Sequence, residues 1–194
     1  MDTIDRNTAR AIRFERPDYI SMIFWINPAC RHHYDREALL ELMGDHRMLF
    51  GDFKAESEPE PELAPFERAA EFINIAWVCV WQTTDDGITG AVTGHPLSDW
   101  SKLDEFVPPD PELTNGVMDI DWAAVKARIA AAESNGNHYV GSLEHGHAFQ
   151  RLGYLRGYEN LLLDMADNET RLSRLIEMVE DFSAELVRHY LYLG

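Results

Sequence analysis

The sequence predicts an α/β protein with parallel strands. Two observations carry this. Strand-like and helix-like stretches alternate along the chain of 194 residues. The first strand-like stretch is a nearly continuous apolar run, the pattern of a strand buried on both faces. A third feature is the amphipathic helix over residues 168–193, with Leu172, Leu175, Ile176, Val179, Phe182, Leu186, Val187 and Tyr190 on one broad face. Asn168 is its expected N-cap and Gly194 its C-cap. In alternating folds such a helix feeds another strand, so the chain is expected to be a piece of a larger enzyme.

The elements follow in order. Residues 5–13 read as a short helix ended by Pro17. Residues 19–26 (YISMIFWI) read as the first strand, broken by Pro28. Residues 36–44 form a helix closed by Gly44, and residues 47–53 a second strand ending in Asp52. The acidic, proline-rich run 55–65 reads as a solvated loop. Two β-rich runs flank Asp85-Asp86-Gly87, a hairpin signal. Within the first of them Trp77, Cys79 and Trp81 share one face and form a packed layer. A short helix is expected around Ser98–Glu105. Residues 121–134 form a helix capped by Asp121 and stopped by Asn135-Gly136-Asn137. Residues 138–143 read as a third strand, and 147–166 as helix broken near Gly157.

Composition bounds the function. The 17 basic and 34 acidic residues give a net charge of −17. This argues against nucleic acid or an anionic membrane as a partner. Two cysteines, Cys30 and Cys79, form no disulfide framework and favour a reducing compartment. The N-terminal stretch lacks a signal-peptide core, and no apolar run spans a membrane. The expected location is cytoplasmic.

In parallel folds, functional groups gather where strands hand over to loops. The first such corner offers Asn27, Cys30, Arg31, His32 and His33. The second offers Asp52. The third offers Glu144, His145 and His147, with Tyr154 in the helix that follows. Arg31 is a candidate anion contact, since a guanidinium binds a carboxylate bidentately; a surface ion pair is the alternative. Asp52 ends an apolar strand, which suits a carboxylate facing a cleft or capping a helix. His145 and His147 share one side of an extended segment. Two ligands without a third do not make a metal site, so they are read as a polar pocket lining, and no metal is assigned.

At these corners the sequence resembles the uroporphyrinogen decarboxylase superfamily, which includes corrinoid-dependent methyltransferases. The resemblance rests on R-x-x-R-P-D-Y (Arg13 to Tyr19), on WVCVW…DGITG…HPLSDW (Trp77 to Trp100) and on YLRGYENLLLDMADN (Tyr154 to Asn168). The decarboxylases' R-Q-A-G-R is similar to Asn27 to Arg31, with Asn27 in place of the first arginine. Their F-S-D resembles Phe50-Gly51-Asp52, and their G-A-P-W segment resembles Gly146 to Phe149, followed by Tyr154.

The resemblance implies the N-terminal part of a (β/α)8 barrel with an inserted β-hairpin, one partial domain over residues 1–194. It implies Asp52 and Tyr154 as catalytic residues and Asn27, Arg31, His145 and His147 as substrate-binding ones, converging on one concave site. The implied function is methyl transfer involving a corrinoid. The alternatives are decarboxylation of uroporphyrinogen or a similar polycarboxylate, and a non-catalytic fragment. No cofactor is expected in this portion, while zinc and a corrinoid are expected in the complete enzyme. The implied partners are a small-molecule substrate and a corrinoid protein, and a homodimer is compatible with the family. A partial barrel is expected to be inactive alone and to leave the strand His138 to Leu143 and the helix 168–193 incompletely covered.

Overall fold

The computed structural model describes residues 3–22, 24–50, 63, 67–73, 76–143 and 147–194. The elements are β1 (Thr3–Ile4), α1 (Arg6–Ile12), α2 (Pro28–His33), α3 (Arg36–Asp45), α4 (Arg47–Phe50), β2 (Glu71–Ile73), β3 (Val80–Gln82), β4 (Ala91–Gly94), a 3₁₀ turn (Trp100–Lys102), α5 (Trp122–Ser134), β5 (His138–Tyr139), α6 (Phe149–Arg156), α7 (Tyr158–Asp167) and α8 (Arg171–Leu193). The chain is therefore mixed α/β, as expected in class, but its described strand pairs are all antiparallel. β2, β3 and β4 form an open three-stranded sheet, and β1 pairs with β5.

The first two expected strands are where sequence and structure part. Among the described residues, 19–26 contains no strand, and Ile20 and Trp25 are 84% and 72% exposed. A ladder needs a neighbour, and the expected neighbour, from residue 47 onward, begins as helix α4. The segment leading into the run is held by side chains of α1 instead. Asn7 Nδ2 donates to the Tyr19 carbonyl at 2.9 Å and to Ser21 Oγ at 3.1 Å, and its Oδ1 accepts from Asp18 N at 2.7 Å. These bonds satisfy the Asp18 N–H and the Tyr19 carbonyl without a sheet, and farther along Phe24 N donates to the Leu49 carbonyl at 3.3 Å.

The hairpin is present, as Asp85-Asp86-Gly87 predicts. β3 and β4 pair antiparallel on either side of that turn, and β2 adds to the other edge of β3. Gly87 has φ +81°, and a Cβ there would overlap the Ala29 backbone of α2. Glycine is thus needed twice over, for its positive φ and for close approach. Asp86 Oδ1 accepts from Ala69 N at 2.7 Å, and His32 Nε2 lies 3.5 Å from Asp86 Oδ2. The hairpin turn and α2 are joined by these contacts.

The core lies between the segment carrying Trp77 to Leu103 and helices α6, α7 and α8. Trp77, Cys79 and Trp81 are all buried, as their alternation predicts, although only Trp81 belongs to β3. On α8 the buried residues are Leu172, Leu175, Val179, Phe182 and Leu186, a stripe at helical spacing. Phe182 meets the Trp77 ring edge-on at 5.1 Å. The apolar face of α8 is packed up to Leu186 and, as expected, only part-covered beyond it, with Val187 and Leu191 exposed, and β1 covers one edge of β5. Asn168 does not cap α8. It ends α7 in the left-handed conformation, φ 55°, which asparagine tolerates. The Glu169 carboxylate instead accepts from Arg171 N at 3.0 Å and Arg171 Nη2 at 2.6 Å. Those bonds lower its pKa to about 2.

One buried ion pair fixes the core's shape. Arg156, at the end of α6, donates through Nε to Asp164 Oδ2 at 2.6 Å and through Nη2 to Oδ1 at 3.4 Å. Its Nη1 reaches the carbonyls of Leu97, at 3.0 Å, and Ser98. Trp100 Nε1 donates to Asp164 Oδ1 at 3.2 Å, and the guanidinium lies 4.4 Å from the Trp100 ring centre. Leu97 N donates to the Leu155 carbonyl at 2.9 Å. Gly157, φ +84°, makes the turn from α6 into α7 that lets the pair close.

Removing one partner strands a buried charge, so Asp164→Ala should cost about 3–5 kcal/mol in urea unfolding. The exposed pair of Arg174 with Asp104 supplies the control. Arg174→Ala should cost less than about 1 kcal/mol.

Candidate functional site

Helix α6 buries Arg151, Leu152, Leu155 and Arg156. Arg151 is only 3% exposed. Its guanidinium lies 5.1 Å from the Trp77 ring centre and 5.8 Å from that of Tyr154. Aromatic faces offset part of a buried cation's lost hydration. Burial still dominates and lowers the Arg151 pKa to about 10. Beside it opens a cleft of about 10 Å³, with room for one water-sized group. Asn115, His147 and Ser183 supply its polar rim, and Trp77 and Phe182 its walls.

Cys79 and Tyr154 lie beneath the guanidinium. Cys79 Sγ is 3.5 Å from the Tyr154 carbonyl and 3.7 Å from that of Trp77. Burial pushes its thiol up to about 12, against a small opposing effect of Arg151. Burial also raises the Tyr154 pKa, and Arg151 opposes it. The phenol therefore keeps its proton at neutral pH. The Tyr154 ring meets Trp81 edge-on at 4.9 Å, and its carbonyl pairs with His95 Nδ1 at 2.8 Å.

The candidates read from sequence divide into three groups. His147 lines the cleft, and Tyr154 lies under its cation. Asn27 and Arg31 belong to α2 and do not line it. Asn27 is the N-cap of α2, its side chain accepting from Cys30 N at 2.8 Å. Asp52 and His145 lie outside the described residues. Within the described residues, His147, Arg151 and Tyr154 group at this cleft, while the expected convergence also involves Asp52, outside the described residues. Arg151 lies within helix α6 and not at a strand end. Its signal is a charge on the buried face of a helix, one turn before Leu155 and adjacent to Leu152.

Comparison with models of known protein families, with curated proteins and with solved structures finds no match. Among the described residues, no group of three His, Cys, Asp or Glu side chains is placed to hold a metal ion. No helix among them is long and apolar enough to cross a membrane.

The two shifted pKa values set an alkaline signature. The folded state keeps the Cys79 proton up to about 12, while an unfolded chain loses it near 9.0. Its contribution to stability is complete below pH 9.0 and is lost as pH rises towards 12. Burial acts oppositely on Arg151: it disfavours the charged guanidinium, so this group lowers stability until its charge is released at strongly alkaline pH. Just above pH 9 the thiol leads the loss, with a slope of at most about 1.4 kcal/mol per pH unit, and the raised Tyr154 adds to it as pH approaches 10. Urea unfolding across that interval should show a downward slope that is smaller in Cys79→Ala. Equal slopes would place Cys79 in contact with solvent.

Proposed function

We propose that this chain is part of an enzyme of the uroporphyrinogen decarboxylase superfamily, and that it recognises the anionic end of a small substrate. The reaction we assign is methyl transfer involving a corrinoid. The observation that carries this reading is the cleft at Arg151. Arg151 is the one cation among the described residues lining it, and the cleft admits a single small group. One buried guanidinium suits a methyl acceptor with one anionic group. A porphyrinogen with many carboxylates asks for several cations. Asn27, where the decarboxylases carry an arginine, is engaged in capping α2.

Within this reading Arg151 binds the anionic substituent, and His147 and Ser183 orient it from the rim. Tyr154 holds a proton beneath the cation. Among the described residues no cluster of His, Cys, Asp or Glu is placed to hold zinc, and the cleft is far too small for a corrin ring. Decarboxylation is the second reading. Tyr154 favours it, because a carbanion left by departing carbon dioxide needs a proton donor.

Equilibrium dialysis separates the readings without requiring turnover. The chain should bind mercaptopropionate, a small thiol acid, more tightly than uroporphyrin. Arg151→Gln should weaken that binding about ten-fold or more, the loss expected for a buried charge-assisted contact. Ser183→Leu should block the cleft while leaving the core intact. Tighter, Arg151-dependent binding of uroporphyrin would favour the decarboxylase. Binding that ignores both variants would remove the cleft from the function.

A further inference from the structure

Helix α7 carries more apolar surface than the core uses. Inward it buries Leu161 and Asp164, the partner of Arg156. At about 100° per residue, Met165, Tyr158, Leu162, Ala166 and Leu163 fall on the arc that faces away from that core. Tyr158 is 63% exposed, Leu163 54%, Met165 51% and Leu162 44%. Phe149, at the start of α6, is also exposed and meets the Tyr158 ring edge-on at 6.3 Å. The patch therefore extends onto a second helix. A helix that is apolar on both sides is one that is covered on both sides in its working state.

The charges around the patch narrow what covers it. Glu159 is the one charged residue on the outward arc; Asp164 is buried and Asp167 falls outside it. Helix α7 carries no lysine, arginine or histidine, and the two arginines of α6 are buried. With a single acid, the arc offers little hold to a basic partner, and the chain's net charge of −17 repels an acidic one. Two copies of this chain repel each other over most of their surface and least where charge is absent. The size of the patch agrees. A large side chain presents about 150–250 Å², so the five half-exposed ones, Phe149, Tyr158, Leu162, Leu163 and Met165, supply roughly 500 Å² a copy and about 1,000 Å² for a pair. That is the lower limit of a specific interface, which makes the pair weak and reversible.

We propose that two copies of the chain pair through this face, α7 against α7 about a two-fold axis. In an antiparallel pair centred between Leu162 and Leu163, these leucines meet those of the other copy. Glu159 of each copy then faces Ala166 of the other, so no two acids are opposed. None of the patch residues lines the Arg151 cleft, and the two surfaces are distinct.

Sedimentation equilibrium between about 10 and 500 µM should show a reversible monomer–dimer equilibrium, tightened by salt as the mutual repulsion is screened. In the native chain the Tyr158 ring and Met165 methyl NMR signals should shift with concentration, a reading that needs no variant. Leu162→Glu and Leu162→Lys should each raise the dissociation constant about ten-fold or more, because each sets like charges against each other across the axis. Mixing the two should restore the dimer, since an acid then meets a base, and that rescue shows both variants to be folded. Val107→Glu, at an exposed apolar residue outside the patch, should pair as the native chain does. The proposal is overturned if the native chain stays monomeric, or if it dimerises without moving the Tyr158 and Met165 signals. It is equally overturned if the dimer survives both Leu162 variants. A monomer whose Tyr158 ring shifts only with an amphipathic leucine–lysine peptide would assign the face to a basic partner and overturn it too.

Discussion

The pairing of Arg156 with Asp164 is the constraint on which the rest of the core depends. Neither charge is tolerable in a core alone, because the cost of dehydrating an ion is several kcal/mol. Together they satisfy each other, the Leu97 and Ser98 carbonyls and the Trp100 indole. Their geometry therefore dictates three things at once. It sets the angle between α6 and α7, the path of residues 95–100, and the depth at which Trp100 is buried. The pair joins two sequence blocks far apart in the chain, HPLSDW and LRGYEN, and packing and polar satisfaction explain both.

Arg151 depends on that arrangement. It precedes Arg156 on α6 by little more than one turn, so the clamp that fixes the end of the helix also fixes Arg151 between Trp77 and Tyr154. Two arginines on one short helix thereby serve different ends. Arg156 is neutralised by a carboxylate and holds the fold. Arg151 sits against aromatic faces beside a small cleft. The raised pKa values of Cys79 and Tyr154 follow from the same burial and leave the cation as the dominant charge of the cleft.

Local signals in the sequence were reliable where local forces decide. Asp121 caps α5, the Asp-Gly turn makes a hairpin, and the stripe on α8 faces the core. The reading failed where partners are distant. Residues 19–26 have the composition of a buried strand, but a strand also needs a neighbouring ladder, and Asn7 supplies hydrogen bonds to the incoming chain instead. Asn168 suits either an N-cap or a left-handed C-cap, and only the turn beyond α7 selects the second. At the cleft, His147 and Tyr154 were among the residues the sequence singled out. Arg151 carries only a weak signal, a charge on the buried face of a helix, and the aromatic residues that accept it lie distant in sequence.

Native-state hydrogen exchange at the Leu97 amide tests the central claim most directly. This N–H donates to the Leu155 carbonyl, in a segment without regular structure that the Arg156–Asp164 pair holds against α6. In the native chain it should exchange only through global unfolding. In Asp164→Asn it should exchange through a local opening of lower free energy, while the amides of the central turns of α8 keep their protection relative to global stability. Rapid exchange at Leu97 in the native chain, or protection falling equally at Leu97 and in α8 of the variant, would contradict the account.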